Sequence, residues 1–420
     1  MQRRRSAFVV GTAIAAVAAL TACSAPTESD PPVDGEKPSG TLTVAHWDFL
    51  APAYGEQMQE IIKGYEDYNP DATIETVGIV RADYETKLKI QFSSGGGPDV
   101  FTMADTFFPE LAAAGLLKPL DDVLDDDLVA TLNNTNNATI WDDQRLAVTW
   151  QVAPYAFLWN TDVLEAAGVE PPTTPEELLD AAVAIKEATG ITGFAVRHRL
   201  AEETPWWIDF NNWVVGFGGG WSADGQLTIA SPENIAAVEL YKEMYDSGAF
   251  AVGDDASTFR TKFSEGQLAM MIDATGAPPA MISDTVPSTS MMASPLPFPE
   301  LATSQVGIYF GINANTENSA LAEDFMKWFL SPQAQQQVSE VIGNTSTVAT
   351  ETEVPAGFFE ENPWAEAYRE NGAYTHSAVI AGFESVTPQI RHVVLGWIEK
   401  VLLEDVDVTE ALESAEAELR

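Results

Sequence analysis

Residues 41–103 alternate strand and helix patterns, and that order leaves few architectures open. Thr41-Leu-Thr-Val-Ala-His-Trp47 alternates polar and apolar side chains and then turns apolar, as a strand entering a core does. Over Pro52–Tyr68, the residues Ile61, Ile62, Tyr65 and Tyr68 recur at helical spacing. Asn69-Pro70-Asp71 is a turn, and residues 72–80 read as a second strand. Residues 83–92 are helical, and Gly95-Gly96-Gly97-Pro98-Asp99 turns the chain into a third strand, Val100–Met103. The order β-α-β-α-β predicts an α/β fold with a mostly parallel sheet and helices on both faces. Ligands of such sheets lie beyond the carboxyl ends of the strands. That rule points to Trp47-Asp48 after the first strand and to Asp105 after the third.

A second stretch shows where the chain changes territory. Trp150 to Trp159 is apolar and β-rich, and it breaks at Asn160-Thr161-Asp162. Asp162 is placed to cap a short helix that stops at Gly168. Thr174, Pro175 and Glu177 then form a capping-box signature for the next helix. A buried strand that leads into helical territory predicts a crossing between two lobes. Trp150, Gln151 and Tyr155 fall beside the resulting cleft, and Phe157 and Trp159 in the core beneath it.

Later patterns continue the alternation. Strands are expected at 193–197, 268–272 and 307–313, and helices at 178–189, 232–247, 320–330, 332–342, 396–404 and 409–419. Trp206, Phe210, Trp213 and Phe217 lie at helical spacing, which assigns Trp206 and Trp213 to the core. Trp221 follows Gly218-Gly219-Gly220, where the backbone lets a ligand approach closely.

The N-terminus is a secretory signal. Arg3-Arg4-Arg5 precedes an apolar run from Ala7 to Leu20, too short for a stable membrane span. Leu20-Thr21-Ala22-Cys23 is similar to a bacterial lipobox, which implies cleavage before Cys23 and a diacylglycerol on its thiol. Cys23 is the one cysteine of the chain, so no internal disulfide forms. Residues 1–22 are thus read as signal peptide and 23–40, polar and proline-rich, as a tether. The net charge of −42 excludes a nucleic-acid partner, because phosphate backbones are bound by Lys and Arg. Spread along the chain, the acids predict a soluble monomer. The four histidines, His46, His198, His376 and His392, have no metal-ligand spacing, and no cofactor is expected.

The order of motifs resembles the extracellular solute-binding proteins of ABC importers, in the carbohydrate-binding group. The resemblance covers roughly residues 41–415 and rests on Gly95-Gly-Gly-Pro98-Asp99-Val100, Phe157-Leu-Trp-Asn160-Thr-Asp162-Val-Leu, Ala167-Gly168 followed by Pro172-Thr-Thr-Pro-Glu-Glu-Leu, Phe263-Ser-Glu-Gly266-Gln-Leu-Ala269-Met270, and Gly311-Ile312-Asn313. Pro175 stands where the family usually has tryptophan. The resemblance implies a two-lobed periplasmic-binding-protein fold, each lobe a mostly parallel sheet flanked by helices. It implies crossings at 153–160, 270–276 and 311–316. The first lobe would hold residues 41–153 and 273–313, and the second 154–272 and 314–420. The protein would be a non-enzymatic binder on the extracellular face of the cell membrane, handing a sugar to permease subunits.

Sugars expose hydroxyl rims and flat C–H faces, so aromatic rings and paired hydrogen bonds recognise them. Candidates at strand ends and crossings are Trp47, Asp48, Asp105, Trp150, Gln151, Tyr155, Trp221, Asp273 and Tyr309. Arg197 joins them because Arg197-His-Arg, Asn211-Asn212 and Gly218-Gly-Gly-Trp221 resemble a stretch of polyol- and monosaccharide-binding members. A polyol ligand, a secreted glycoside hydrolase and a lipid-anchored adhesin or sensor are the alternatives. Hydrolysis would require two carboxylates at a defined separation, which 63 acidic residues cannot single out.

Overall fold

The computed structural model describes residues 37–51 and 54–420. The signal peptide, Cys23 and the tether to residue 36 lie outside the described residues. Nine strands join in one sheet: β1 (Gly40–His46), β2 (Ala72–Gly78), β3 (Val100–Ala104), β4 (Val148–Asn160), β5 (Thr192–Ala195), β6 (Leu268–Ala274), β7 (Met291–Ser294), β8 (Thr303–Ile312) and β9 (Thr375–His376). Their order is β2-β1-β3-β8-β4-β6-β5, with β7 on β4 and β9 on β8. The flanks are parallel, as the β-α-β order requires: β1 pairs with β2 and β3, and β6 with β5. The two long strands β4 and β8 run antiparallel to each other and to β6 and β3. The sheet is therefore mixed at its centre, where the chain crosses.

The crossing in β4 has a defined position. Residues up to Pro154 pair with β8, and from Tyr155 onward the partner is β6. Alternation then divides the strand's side chains between cores. Val148 and Trp150 join one core with Leu42, Val44 and Phe310. Tyr155, Phe157 and Trp159 face a second with Trp206, Trp213 and Tyr241, while Ala156 and Leu158 face the opposite side of the same lobe. Phe157 and Trp159 are buried beneath the crossing, as expected.

Several local expectations shift. The helix after β4, α1 (Thr161–Ala167), is capped by Asn160, whose Oδ1 accepts from the amides of Asp162 and Val163; Asp162 is not the cap. The stop at Gly168 is left-handed, with φ of 68°. The next helix, α2 (Pro175–Thr189), is capped by Thr174, but the Glu177 carboxylate reaches past the cap residue to the amide and hydroxyl of Thr173.

The hydrophobic cores also divide the chain differently from the expected lobe boundaries. Ala277, Met281, Val286 and Met291 pack with Phe259 and Phe263, and Leu296 and Phe298 with Trp213, all in the second lobe. Leu321, Phe325, Phe329, Val338 and Val348 pack with Leu42 and Trp150 in the first. The cores show no crossing at 270–276, since the chain stays in the second lobe after β6; it returns to the first at the start of β8, near 303–308, and not at 311–316. Thr303 bonds to Tyr155 and Asn212, whereas Asn313 bonds to Pro98 in the first lobe. The amphipathic helix Ser319–Phe329 offers an apolar face to whichever core is nearer, and sequence pattern alone does not reveal which. Among the described residues no helix is long and apolar enough to cross a membrane.

Candidate ligand-binding site

Trp47 and Asp48 follow β1 directly, in a short 3₁₀ turn (Trp47–Leu50). Trp47 is half-buried, edge-on to Tyr84 at 4.9 Å, with the Arg81 guanidinium 4.6 Å from a ring centroid on its face. The Asp48 carboxylate keeps 18% exposure. Burial raises its pKa to about 6, against a bond from Tyr54 and the positive charge of Arg81. A half-open ring beside a partly open carboxylate is the chemistry a sugar face and rim require.

Asp105 follows the third strand and is 4% exposed. Its carboxylate accepts from the Ser377 hydroxyl at 3.3 Å, and its backbone N–H donates to Gly307 at 2.9 Å. A Cβ at residue 307 would lie 2.9 Å from the Asp105 Cβ, so glycine is what lets β8 pass this close. Ser377 precedes Ala378 and Ile380 of the second-lobe core, so this bond spans the lobes. The helical turn Phe108–Ala113 also lies against Glu384–Val386 of the second lobe. From Ser377 the polar chain continues: the carbonyl of Ala378 accepts from Trp207 Nε1 at 2.8 Å, and Trp207 stacks on Trp221 at 4.3 Å. Asn211 accepts from Trp221 Nε1 and donates to Ser304 at the foot of β8. Asp105 and Trp221 are thus brought together through two intermediates that the sequence did not single out, Ser377 and Trp207.

Burial raises the Asp105 carboxyl to about 6, against bonds from Thr106, Ser377 and Gln305. A folded-state pKa above the unfolded value stabilises the native state at low pH, and that contribution is lost as pH rises through about 6. Asp105→Asn removes the buried charge. The melting temperature should rise by about 2–5 °C at pH 8 and stay unchanged near pH 4, which a thermal melt at the two pH values checks.

Tyr155, Arg197 and Asp273 also converge, but on protein partners. The Tyr155 hydroxyl donates to Asp209 at 2.6 Å. Arg197 reaches the other oxygen of Asp209 at 2.6 Å and Glu202 at 3.3 Å. Asp273 is held by both Nε and Nη2 of Arg260 at 2.7 Å. Asp209 and Arg260 were missed. Asp209 carried a signal: it sits on helix α3 (Glu203–Gly216) between Trp206-Trp207 and Phe210, a carboxylate with no polar face to occupy. Arg260 carried none, since only the fold brings it to Asp273.

Three candidates are wall or core. Trp150 is 0% exposed, stacked on Phe329 at 5.3 Å and edge-on to Phe310, so neither ring face is open. Tyr309 is buried edge-on to Phe108. Trp221, 5% exposed, has one face on Trp207 and its N–H on Asn211. Gln151 is half-buried and donates to Ser346 at 2.8 Å. For Trp150 and Tyr309 the strand-end rule failed because they lie inside β4 and β8, where alternation turned them into the sheet's faces.

Two α/β lobes joined by crossing strands are the architecture of the periplasmic binding proteins. Residues 51–336 match the family of bacterial extracellular solute-binding proteins, and the chain belongs to that family. Its members bind solutes and are not enzymes. The chain is 24% identical over 323 residues to the maltotriose-binding protein of Pyrococcus abyssi, spanning 73% of this chain and 67% of that one. It is 21% identical over 378 residues to a putative ABC transporter periplasmic-binding protein, YcjN, of Escherichia coli, spanning 81% and 84%. Among solved structures, the cyclic α-maltosyl-1,6-maltose-binding protein of Arthrobacter globiformis shares the fold, with a TM-score of 0.79 at 21% identity over 90% of this chain and 97% of that one.

Proposed function

We propose that this protein is the lipid-anchored carbohydrate receptor of an ABC importer. It takes a saccharide between its lobes, closes by bending at the crossing strands, and docks on permease subunits as a monomer held to the membrane through Cys23. The observation that carries this reading is the meeting of Asp105 with Ser377: polar groups of opposite lobes face each other beside a tryptophan stack. A ligand hydroxyl that replaces Ser377 on Asp105 would contact both lobes and so favour closure. The named ligands of the relatives, maltotriose and cyclic maltosyl-maltose, point to oligosaccharides. The lobe assignment we adopt follows the cores: residues 38–153 and about 306–350 in the first, and 154–305 with 351–420 in the second.

Within this reading Trp47, Asp48 and Asp105 touch the ligand. Tyr155, Arg197 and Asp273 brace the floor through Asp209 and Arg260. Trp47→Ala should weaken binding of a malto-oligosaccharide about tenfold, the order of one aromatic–sugar contact, with little change in melting temperature. Titration calorimetry beside a thermal melt checks it; unchanged affinity removes Trp47 from the site.

A further inference from the structure

We propose that His46 is a positioning residue for Asp48, its buried Nε2–H aimed to donate to the Asp48 carboxylate. The proposal rests on the reading that Asp48 touches the ligand, but the geometry behind it does not. His46 is the last residue of β1 and is fully buried. Its Nδ1 accepts the backbone N–H of Asp48 at 2.8 Å. An accepting Nδ1 carries no proton, so the neutral ring places its hydrogen on Nε2. That nitrogen has no hydrogen-bond partner. The indole nitrogen of Trp150 is likewise buried and unpartnered, in a ring whose centroid is 4.6 Å from that of His46. Both orphans are donors, so they cannot satisfy each other.

A buried donor without a partner is expensive, and Asp48 Oδ2, an acceptor, lies 3.9 Å from His46 Nε2. That distance is too long for a hydrogen bond. The contact is not an ion pair either: burial and the charge of Arg81 lower the imidazole pKa to about 3, so it is neutral at working pH. A small rotation of the Asp48 side chain closes the gap. The groups that act on Asp48 are His46 from β1, Tyr54 from the following turn and Arg81 from the helix Arg81–Ser93; β4 contributes the neutral Trp150. The carboxylate samples this inward rotamer onto Nε2–H in the free protein, and a ligand that displaces water from the turn holds it there. Its remaining lone pairs then face the ligand hydroxyls in one fixed direction. Trp150, expected in the site, would thus serve it from beneath by closing the pocket around the imidazole.

Two substitutions separate the functions of the ring. His46→Asn keeps an acceptor near the Nδ1 position and loses the Nε2–H; His46→Gln keeps a donor near the Nε2 position. In the ligand-free protein, ¹⁵N NMR should show the Nε2–H tautomer from pH 5 to 8. Carbon-detected titration should show the Asp48 midpoint move upward in His46→Asn and stay near the wild-type value in His46→Gln. With maltotriose as probe, His46→Asn should weaken binding about tenfold and His46→Gln restore most of it. An Nδ1–H tautomer, or an Asp48 midpoint that His46→Asn leaves in place, overturns the proposal. If His46→Asn does not fold, the wild-type tautomer and the His46→Gln midpoint decide it. If maltotriose does not bind the wild type, the ligand reading suffers, while the two ligand-free measurements still decide the role of His46.

Discussion

Arg197→Ala should destabilise the protein by about 3–5 kcal/mol, because it strands a charge in a dry interior. Asp209 is fully buried on α3, and its two oxygens are taken by the Tyr155 hydroxyl and the Arg197 guanidinium, each at 2.6 Å. Burial pushes the Asp209 carboxyl up and the guanidinium opposes it. Without Arg197 the carboxyl keeps one donor and no cation bonded to it. The direct control is Arg197→Ala with Asp209→Asn: a neutral amide needs no countercharge, so the double variant should recover a large part of the loss. Urea unfolding of the three proteins gives the cycle. Additive losses would mean that the pair is not coupled, and that Arg197 is free to serve a ligand instead.

Trp150→Ala should cost about 3–5 kcal/mol as well, through a cavity and not through the ligand. The indole stacks on Phe329 with an interplanar angle of 12° and packs edge-on to Phe310 and His46. Phe329 comes from the helix Ser319–Phe329, so the cavity would loosen the attachment of a whole helix. The sequence placed Trp150 beside the ligand, and on that view the variant would stay folded and lose affinity. The structure predicts the reverse order: a large fall in urea midpoint, with affinity reduced only as far as His46 and the turn above it shift. Intact stability with lost binding would restore Trp150 to the site.

The fold was largely legible in the sequence. The period-2 run at β1, the glycine turn before Val100 and the caps at Thr174 and Gly168 are local signals, and local signals survive folding. The change of partner strand after Pro154 falls inside the 153–160 stretch that the family resemblance implied, whereas the residue pattern alone marked its break at Asn160. Lobe membership after residue 272 was not legible. Leu321 and Phe325 make an apolar face that fits either core, and only tertiary packing chooses. The proposed site draws on strand ends, where Asp48 and Asp105 lie. It was illegible where partners come from afar: Ser377 reaches Asp105 across 272 positions, and Arg260 reaches Asp273 without any motif. Buried aromatics misled because size and β-propensity look alike in a core and in a sugar site.

Saccharide binding between the lobes by Asp105 and Asp48 is what the proposed function requires. It is tested most directly by titration calorimetry of wild type and Asp105→Ala against one panel of neutral oligosaccharides, malto-oligosaccharides included. The expected result is one-to-one binding of at least one member, weakened tenfold or more in Asp105→Ala, the scale of a lost hydrogen bond to a charged group. Binding of no saccharide by the folded wild type, or equal affinity in the two proteins, would contradict it.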